Sequence, residues 1–204
     1  LTMPPGWGGD SLLLDRQGNT LALGAADLNN DGLQDLLVSH DALVRESHID
    51  VEPGGIYLRC EPSQPCDFEA RPLGPGDRGF GAFMGSGVLH LDNHGPAVYF
   101  TDWGANRLVG LSPPNYRSSA SAWNAELQSN AGSLLYSWGV VIDDFDRDGR
   151  DDLFIGQGSV KGGRPYDYRM HYDALLLQRQ QRFEIHSDDV GIPPFTTDDS
   201  GDQD

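Results

Sequence analysis

Two nine-residue acidic loops constrain this chain more than any other feature: Asp27-Leu-Asn-Asn-Asp-Gly-Leu-Gln-Asp35 and Asp144-Phe-Asp-Arg-Asp-Gly-Arg-Asp-Asp152. Both read D-x-[DN]-x-D-G-x-x-D, and each runs at once into a short apolar segment, Leu36–Val38 and Leu153–Ile155. Oxygen side chains at positions 1, 3, 5 and 9 can wrap one hard cation, and glycine at position 6 supplies the turn that folds them inward. Calcium takes six to eight oxygens at about 2.3–2.6 Å. The pattern therefore predicts two Ca2+ sites. The first uses Asp27, Asn29, Asp31 and Asp35 with the carbonyl of Leu33. The second uses Asp144, Asp146, Asp148 and Asp152 with the carbonyl of Arg150, and water completes both shells. The alternative is a pair of acidic Asx-turns between strands that hold no ion.

An EF-hand would place a bidentate Glu at position 12 and lead into a helix. Position 12 here is Val38 or Ile155, and Gly139-Val-Val-Ile142 before the second loop is β-branched and apolar. The unit is thus strand–loop–strand. With four carboxylates against three, the second site is expected to bind more tightly, with Arg147 and Arg150 pointing outward and softening its charge.

The 204 residues carry 31 acidic and 14 basic side chains, a formal charge of −17. That balance argues against nucleic acid and against anionic membrane surfaces, which select Lys/Arg patches. No transmembrane segment is legible. The 26 glycines and 13 prolines suit many turns and few long helices. Only two cysteines occur, Cys60 and Cys66, on either side of a predicted hairpin turn. A disulfide is the natural reading of that spacing, against two free thiols. Together with calcium loops it points to an extracellular or cell-surface setting.

A third copy of the loop is legible at His90-Leu-Asp-Asn-His-Gly95, aligned on its glycine. Apolar runs follow each copy at Leu36–Val38, Ala97–Phe100 and Leu153–Ile155. Third strands are predicted at Gly55–Arg59, Arg107–Leu111 and Asp173–Leu177. Fourth strands are anchored by Phe68, Trp123 and Phe183. The stretch Ser118–Gln128 is the best helix candidate and reads equally well as loop plus strand. The expectation is an all-β chain of one domain over residues 1–204, with units at roughly 11–75, 76–132 and 133–192 and a tail at 193–204. Short antiparallel strands in repeated fours are the signature of β-propeller blades.

The segments Trp138–Gly156 and Leu23–Leu37 resemble the FG-GAP/VCBS repeat family of integrin-type propellers and bacterial secreted proteins. Strand spacing extends the resemblance weakly over most of residues 11–192. It implies a four-stranded blade whose acidic loop joins the first two strands and binds structural calcium. The family spans adhesins, lectins, matrix proteins and enzyme accessory domains, so the motif speaks for fold more than for function.

Two departures from that family stand out. The middle loop has His90, Asp92, His94 and Val98 at the ligand positions, so a lost calcium site is expected there, held by side-chain hydrogen bonds. The alternative is a zinc or copper site through its imidazoles. About three blades are recognisable, with a partial unit at Ser11–Asp15, whereas family propellers close with about seven. Either the protein is longer or copies associate. Six scattered histidines and the absence of Ser-x-x-Lys, Gly-x-Ser-x-Gly and His-Glu-x-x-His patterns argue against an enzyme. The leading expectation is a secreted calcium-binding module for a protein or glycan ligand, with Trp7, Trp103, Tyr116, Tyr166 and Tyr168 as candidate contacts. Two alternatives accompany it: a subunit that assembles with copies of itself into an oligomer, fibre or layer, and an accessory domain of a larger secreted enzyme.

Overall fold

The structure, a computed structural model, describes residues 19–41, 55–61, 63–64, 68–71, 83–102, 105–111, 118–127, 136–158 and 173–186. Among them the chain is all β, with antiparallel strands and no helix. The first sheet holds β1 (Asn19–Ala26), β2 (Asp35–Asp41), β3 (Gly55–Arg59) and β4 (Phe68–Arg71) in sequence order. The second holds β5 (Phe83–Leu91), β6 (Gly95–Asp102) and β7 (Arg107–Gly110). The third holds β8 (Tyr136–Asp143), β9 (Asp152–Gly158), β10 (Ala174–Arg179) and β11 (Arg182–Ile185). Each sheet is an up-and-down meander built from one contiguous stretch of chain.

Three details recur at matching places. Each first strand carries a register shift that leaves one residue bulged: Leu21 before the loop at Asp27, Met84 before His90, Trp138 before Asp144. Position 4 of each loop is left-handed, at Asn30 (φ 59), Asn93 (φ 61) and Arg147 (φ 64). Position 6 is a left-handed glycine, at Gly32, Gly95 and Gly149. Only Gly, and less readily Asn or Asp, visits this region without a steric cost. Arg147 is the misfit, so Arg147→Asn is expected to raise stability by about 0.5 kcal/mol in urea titration.

The middle sheet is packed on both faces. Strand β6 reads Ala97-Val-Tyr-Phe100, a continuous apolar run of the kind that suits a strand covered on two sides. Its alternation sends Ala97 and Tyr99 to one core and Val98 and Phe100 to the other. The first core joins Leu89, Leu108 and Tyr99 to Leu153, Ile155, Leu176 and Phe183 of the third sheet. The second joins Phe83, Phe100 and Val109 to Leu37, Ile56 and Leu58 of the first sheet. Strand β5 meets both β1 and β8. A Cβ on Gly85 would lie 3.1 Å from Gly139 Cα and from the Trp138 carbonyl oxygen, so glycine allows the two backbones to approach closely.

The predicted fourth strand at Trp123 is not formed. Residues 120–124 make turns, with Trp123 N–H donating to Ser119 O and Ala125 N–H to Ala120 O. Asn124 (φ 56) and Leu127 (φ 47) are left-handed, which breaks strand geometry. The segment straps the neighbouring sheet instead. Phe183 N–H donates to Trp123 O at 2.7 Å, and Asn124 Nδ2 donates to Phe183 O at 3.0 Å. Phe68 and Phe183 do stand in fourth strands, β4 and β11. The N-terminal unit at 11–15 and the tail at 193–204 lie outside the described residues. No helix of the described residues is long and apolar enough to cross a membrane.

Candidate metal centre

The two acidic loops fold alike because their carboxylates bind their own backbone. Asp27 Oδ1 accepts from Asp31 N–H and its Oδ2 from Gly32 N–H; Asp144 does the same with Asp148 and Gly149. Asn29 Oδ1 and Asp146 Oδ1 each accept from the N–H at position 5. The N–H groups of Leu33 and Arg150 donate to Asp31 and Asp148. These Asx-turns use one lone pair per oxygen, so capacity remains for a cation.

Position 9 has a second task. Asp35 and Asp152 are fully buried. Asp35 accepts from Leu28 N–H at 2.8 Å and Arg59 N–H at 2.7 Å, and Asp152 from Phe145 N–H at 3.0 Å and Gln178 N–H at 2.8 Å. Each carboxylate thereby ties its loop to the third strand of its sheet. Burial pushes both carboxyls above the usual carboxylate range, against the pull of those N–H donors. A cation at the loop would offset that desolvation.

The loops differ in how far their carboxylates converge. Oxygens of Asp144, Asp146 and Asp152 lie within 4.8 Å of one another, an all-oxygen set suited to a hard cation. Among the described residues no second group of three acidic, His or Cys side chains gathers so closely. In the first loop Asp27 is half-buried while Asn29 and Asp31 are exposed, and Asn29 Nδ2 donates to Asp31 Oδ2 at 2.8 Å.

Asp148, expected as the fourth carboxylate, stands outside the converging group because arginines hold it. Its Oδ2 pairs with Arg150 Nη2 and accepts from Arg179 Nη1 at 2.9 Å. Arg179 Nη2 also reaches Asp146 Oδ2 at 2.6 Å. Desolvation works upward on Asp146, but the hydrogen bond and charge of Arg179 outweigh it and hold its carboxyl below the usual range. The expectation that Arg150 points outward is corrected. Its Nε donates to Gln178 O at 3.1 Å, and the side chain lies across the loop. Arg179 was not legible as part of the site, since it comes from β10, a whole strand pair beyond the motif.

The middle loop is a tight turn, residues 92–94, that docks on the third sheet. His90 N–H donates to Asp151 Oδ2 at 2.6 Å and Asp92 N–H to Gln178 Oε1 at 2.8 Å. The buried Gln178 returns its Nε2 to the carbonyls of His90 and Asp151. His94 Nδ1 sits 2.8 Å from Asp92 O, and its ring meets Trp123 edge-on. His90, Asp92 and His94 form no converging ligand group.

Cys60 is buried at the end of β3 and disulfide-bonded. Its expected partner Cys66, the only other cysteine of the chain, lies outside the described residues. Trp7, Trp103, Tyr116, Tyr166 and Tyr168 also fall outside them. No protein-family model matches the chain, and no curated protein matches it.

Proposed function

We propose that this chain is a calcium-stiffened β-propeller repeat module, secreted or displayed at a cell surface, that binds a protein or glycan ligand. The observation that carries the calcium reading is the duplicated acidic loop, with the same backbone hydrogen bonds in both copies and converging oxygens of Asp144, Asp146 and Asp152 in the second. Three consecutive antiparallel meanders with matching bulges and matching left-handed loop positions support the blade reading. Calcium in this reading is structural. It holds the link between first and second strands, and through Asp152 the third strand as well.

An ion that binds only the folded state adds stability by mass action, about 2.7 kcal/mol at a hundred times its Kd. Urea unfolding of the full chain should show that gain in calcium over EDTA. Asp148→Ala should diminish the gain more than Asp92→Ala does. No calcium gain, or equal effects of the two substitutions, overturns the site.

One observation favours a second reading, assembly with copies of itself. Strands β1 and β8 leave Leu23 71% and Val141 56% exposed, with Leu21 of β1 and Phe145 of the second loop exposed as well. Light scattering in calcium and then in EDTA separates a monomeric module from a calcium-dependent assembly.

A further inference from the structure

The turn between β10 and β11 borders a cleft of about 630 Å³, within the roughly 300–1,000 Å³ range of ligand sites. Arg150, Arg179, Arg182, Gln180, Gln181 and Glu184 line it, and among the described residues Ala122 is its one apolar residue. Three guanidiniums in one cleft are conspicuous in a chain with 14 basic residues and a charge of −17. The planar, permanently charged guanidinium is the side chain best matched to an oxyanion.

Two of these arginines are engaged by the acidic loop. Arg179 spans Asp146 Oδ2 and Asp148 Oδ2, and Arg150 pairs with Asp148. A cation that draws Asp146 and Asp148 into a four-carboxylate shell competes for those same oxygens. It leaves two guanidiniums without their full complement of anionic partners, on the wall of the cleft. Arg182 is already 68% exposed in its side chain and reaches Glu184 only at 3.4 Å.

We infer that the cleft is an oxyanion site that takes the sulfate or carboxylate group of an acidic saccharide, and that cation binding at the adjacent loop arms it. The inference rests on the cation reading above and names the ligand class for it. A saccharide suits the walls better than an acidic peptide. The amides of Gln180 and Gln181 both donate and accept, as sugar hydroxyls require, while among the described residues only Ala122 offers a peptide's anchor side chain an apolar residue.

The test is titration calorimetry on the full chain with four probes: inorganic sulfate, a sulfated disaccharide, a uronic-acid disaccharide and an acidic peptide, each in calcium and in EDTA. Calcium should tighten at least one disaccharide by about tenfold, and saturating disaccharide should tighten calcium by the same factor. Comparison of the sulfated and uronic sugars decides which oxyanion is read. Arg182→Ala should lose disaccharide binding while its calcium isotherm stays as in the parent. Normal calcium heat with disaccharide affinity unchanged between calcium and EDTA overturns the arming alone, whereas no disaccharide binding, or binding unchanged in Arg182→Ala, overturns the oxyanion site. Absence of calcium heat overturns the cation reading and the coupling with it. Binding of the peptide but neither sugar overturns the ligand class.

Discussion

Asp152→Ala is expected to lower stability by about 3 kcal/mol in EDTA and to abolish the calcium gain of the second loop. The first number comes from hydrogen bonding alone. The carboxylate is fully buried and accepts from the N–H of Phe145 in the loop and of Gln178 in β10. Its removal leaves two backbone donors without an acceptor, at about 1–3 kcal/mol each. Part of that loss is offset, since burial already penalises the charged carboxylate and raises its pKa. The second effect is set by the cation. Of the three converging carboxylates, Asp152 is the one fixed from two sides, so its loss removes the best-ordered ligand. Urea unfolding with and without calcium separates the two effects. Asp144→Ala provides the contrast, because Asp144 is only half-buried and binds within its own loop. If Asp144→Ala costs as much as Asp152→Ala in EDTA, the role of position 9 as a tie to the third strand is wrong.

The acidic motif was legible because each position has a chemical requirement that shows in residue type. Oxygen side chains at 1, 3, 5 and 9 and glycine at 6 reappear as Asx-turns with Gly32 and Gly149 at positive φ. Strands after each loop were legible for a similar reason, since Leu36–Val38, Ala97–Phe100 and Leu153–Ile155 are short apolar runs with turn signals on both sides. The aromatic anchors worked at Phe68 and Phe183 and failed at Trp123. All three sit at similar spacing, and all three are large side chains that seek a core, but spacing does not report backbone handedness. Asn124 and Leu127 turn the chain out of a strand, and Trp123 is buried against the third sheet while its carbonyl pairs with Phe183. Tertiary packing met the demand for burial without a strand.

The parts of the site that were not legible come from distant stretches of chain. Gln178 and Arg179 carry no motif. They reach the loop because β10 pairs with β9, in the register Leu176 opposite Leu153, which places the next residues level with Asp152 and the loop above it. Arg150 had a sequence position and no sequence-readable direction. A charged side chain among five aspartates is as easily drawn across them as turned away, and the carbonyl of Gln178 together with Asp148 settles the matter. The same pairing makes the degenerate middle loop intelligible. With histidines where the other two loops carry aspartates at positions 1 and 5, it is held by the third sheet through Asp151 and Gln178.

Tyr99→Ala is expected to cost about 3–5 kcal/mol, the range for deleting a fully buried aromatic side chain. Tyr99 is fully buried in the core between the second and third sheets, and its hydroxyl donates to Ala125 O at 2.6 Å. Burial drives its ionisation far above the ordinary range. Tyr99→Phe keeps the ring and leaves the Ala125 carbonyl without that donor, at about 1–2 kcal/mol. The difference between the two substitutions measures packing against hydrogen bonding. The consequence reaches the cleft, because Ala125 belongs to the strap of residues 118–127. That strap holds β11 through Trp123 and Asn124 and lends Ala122 to the cleft wall, while β11 carries Arg182 and Glu184. Urea unfolding in saturating calcium reads the stability terms. Hydrogen exchange at the Phe183 amide, which donates to Trp123 O, reads the strap itself. Tyr99→Phe should speed that exchange well beyond what the global loss of stability explains; exchange that follows global unfolding alone would mean that the strap is held by the burial of Trp123 and owes nothing to the Tyr99 hydroxyl.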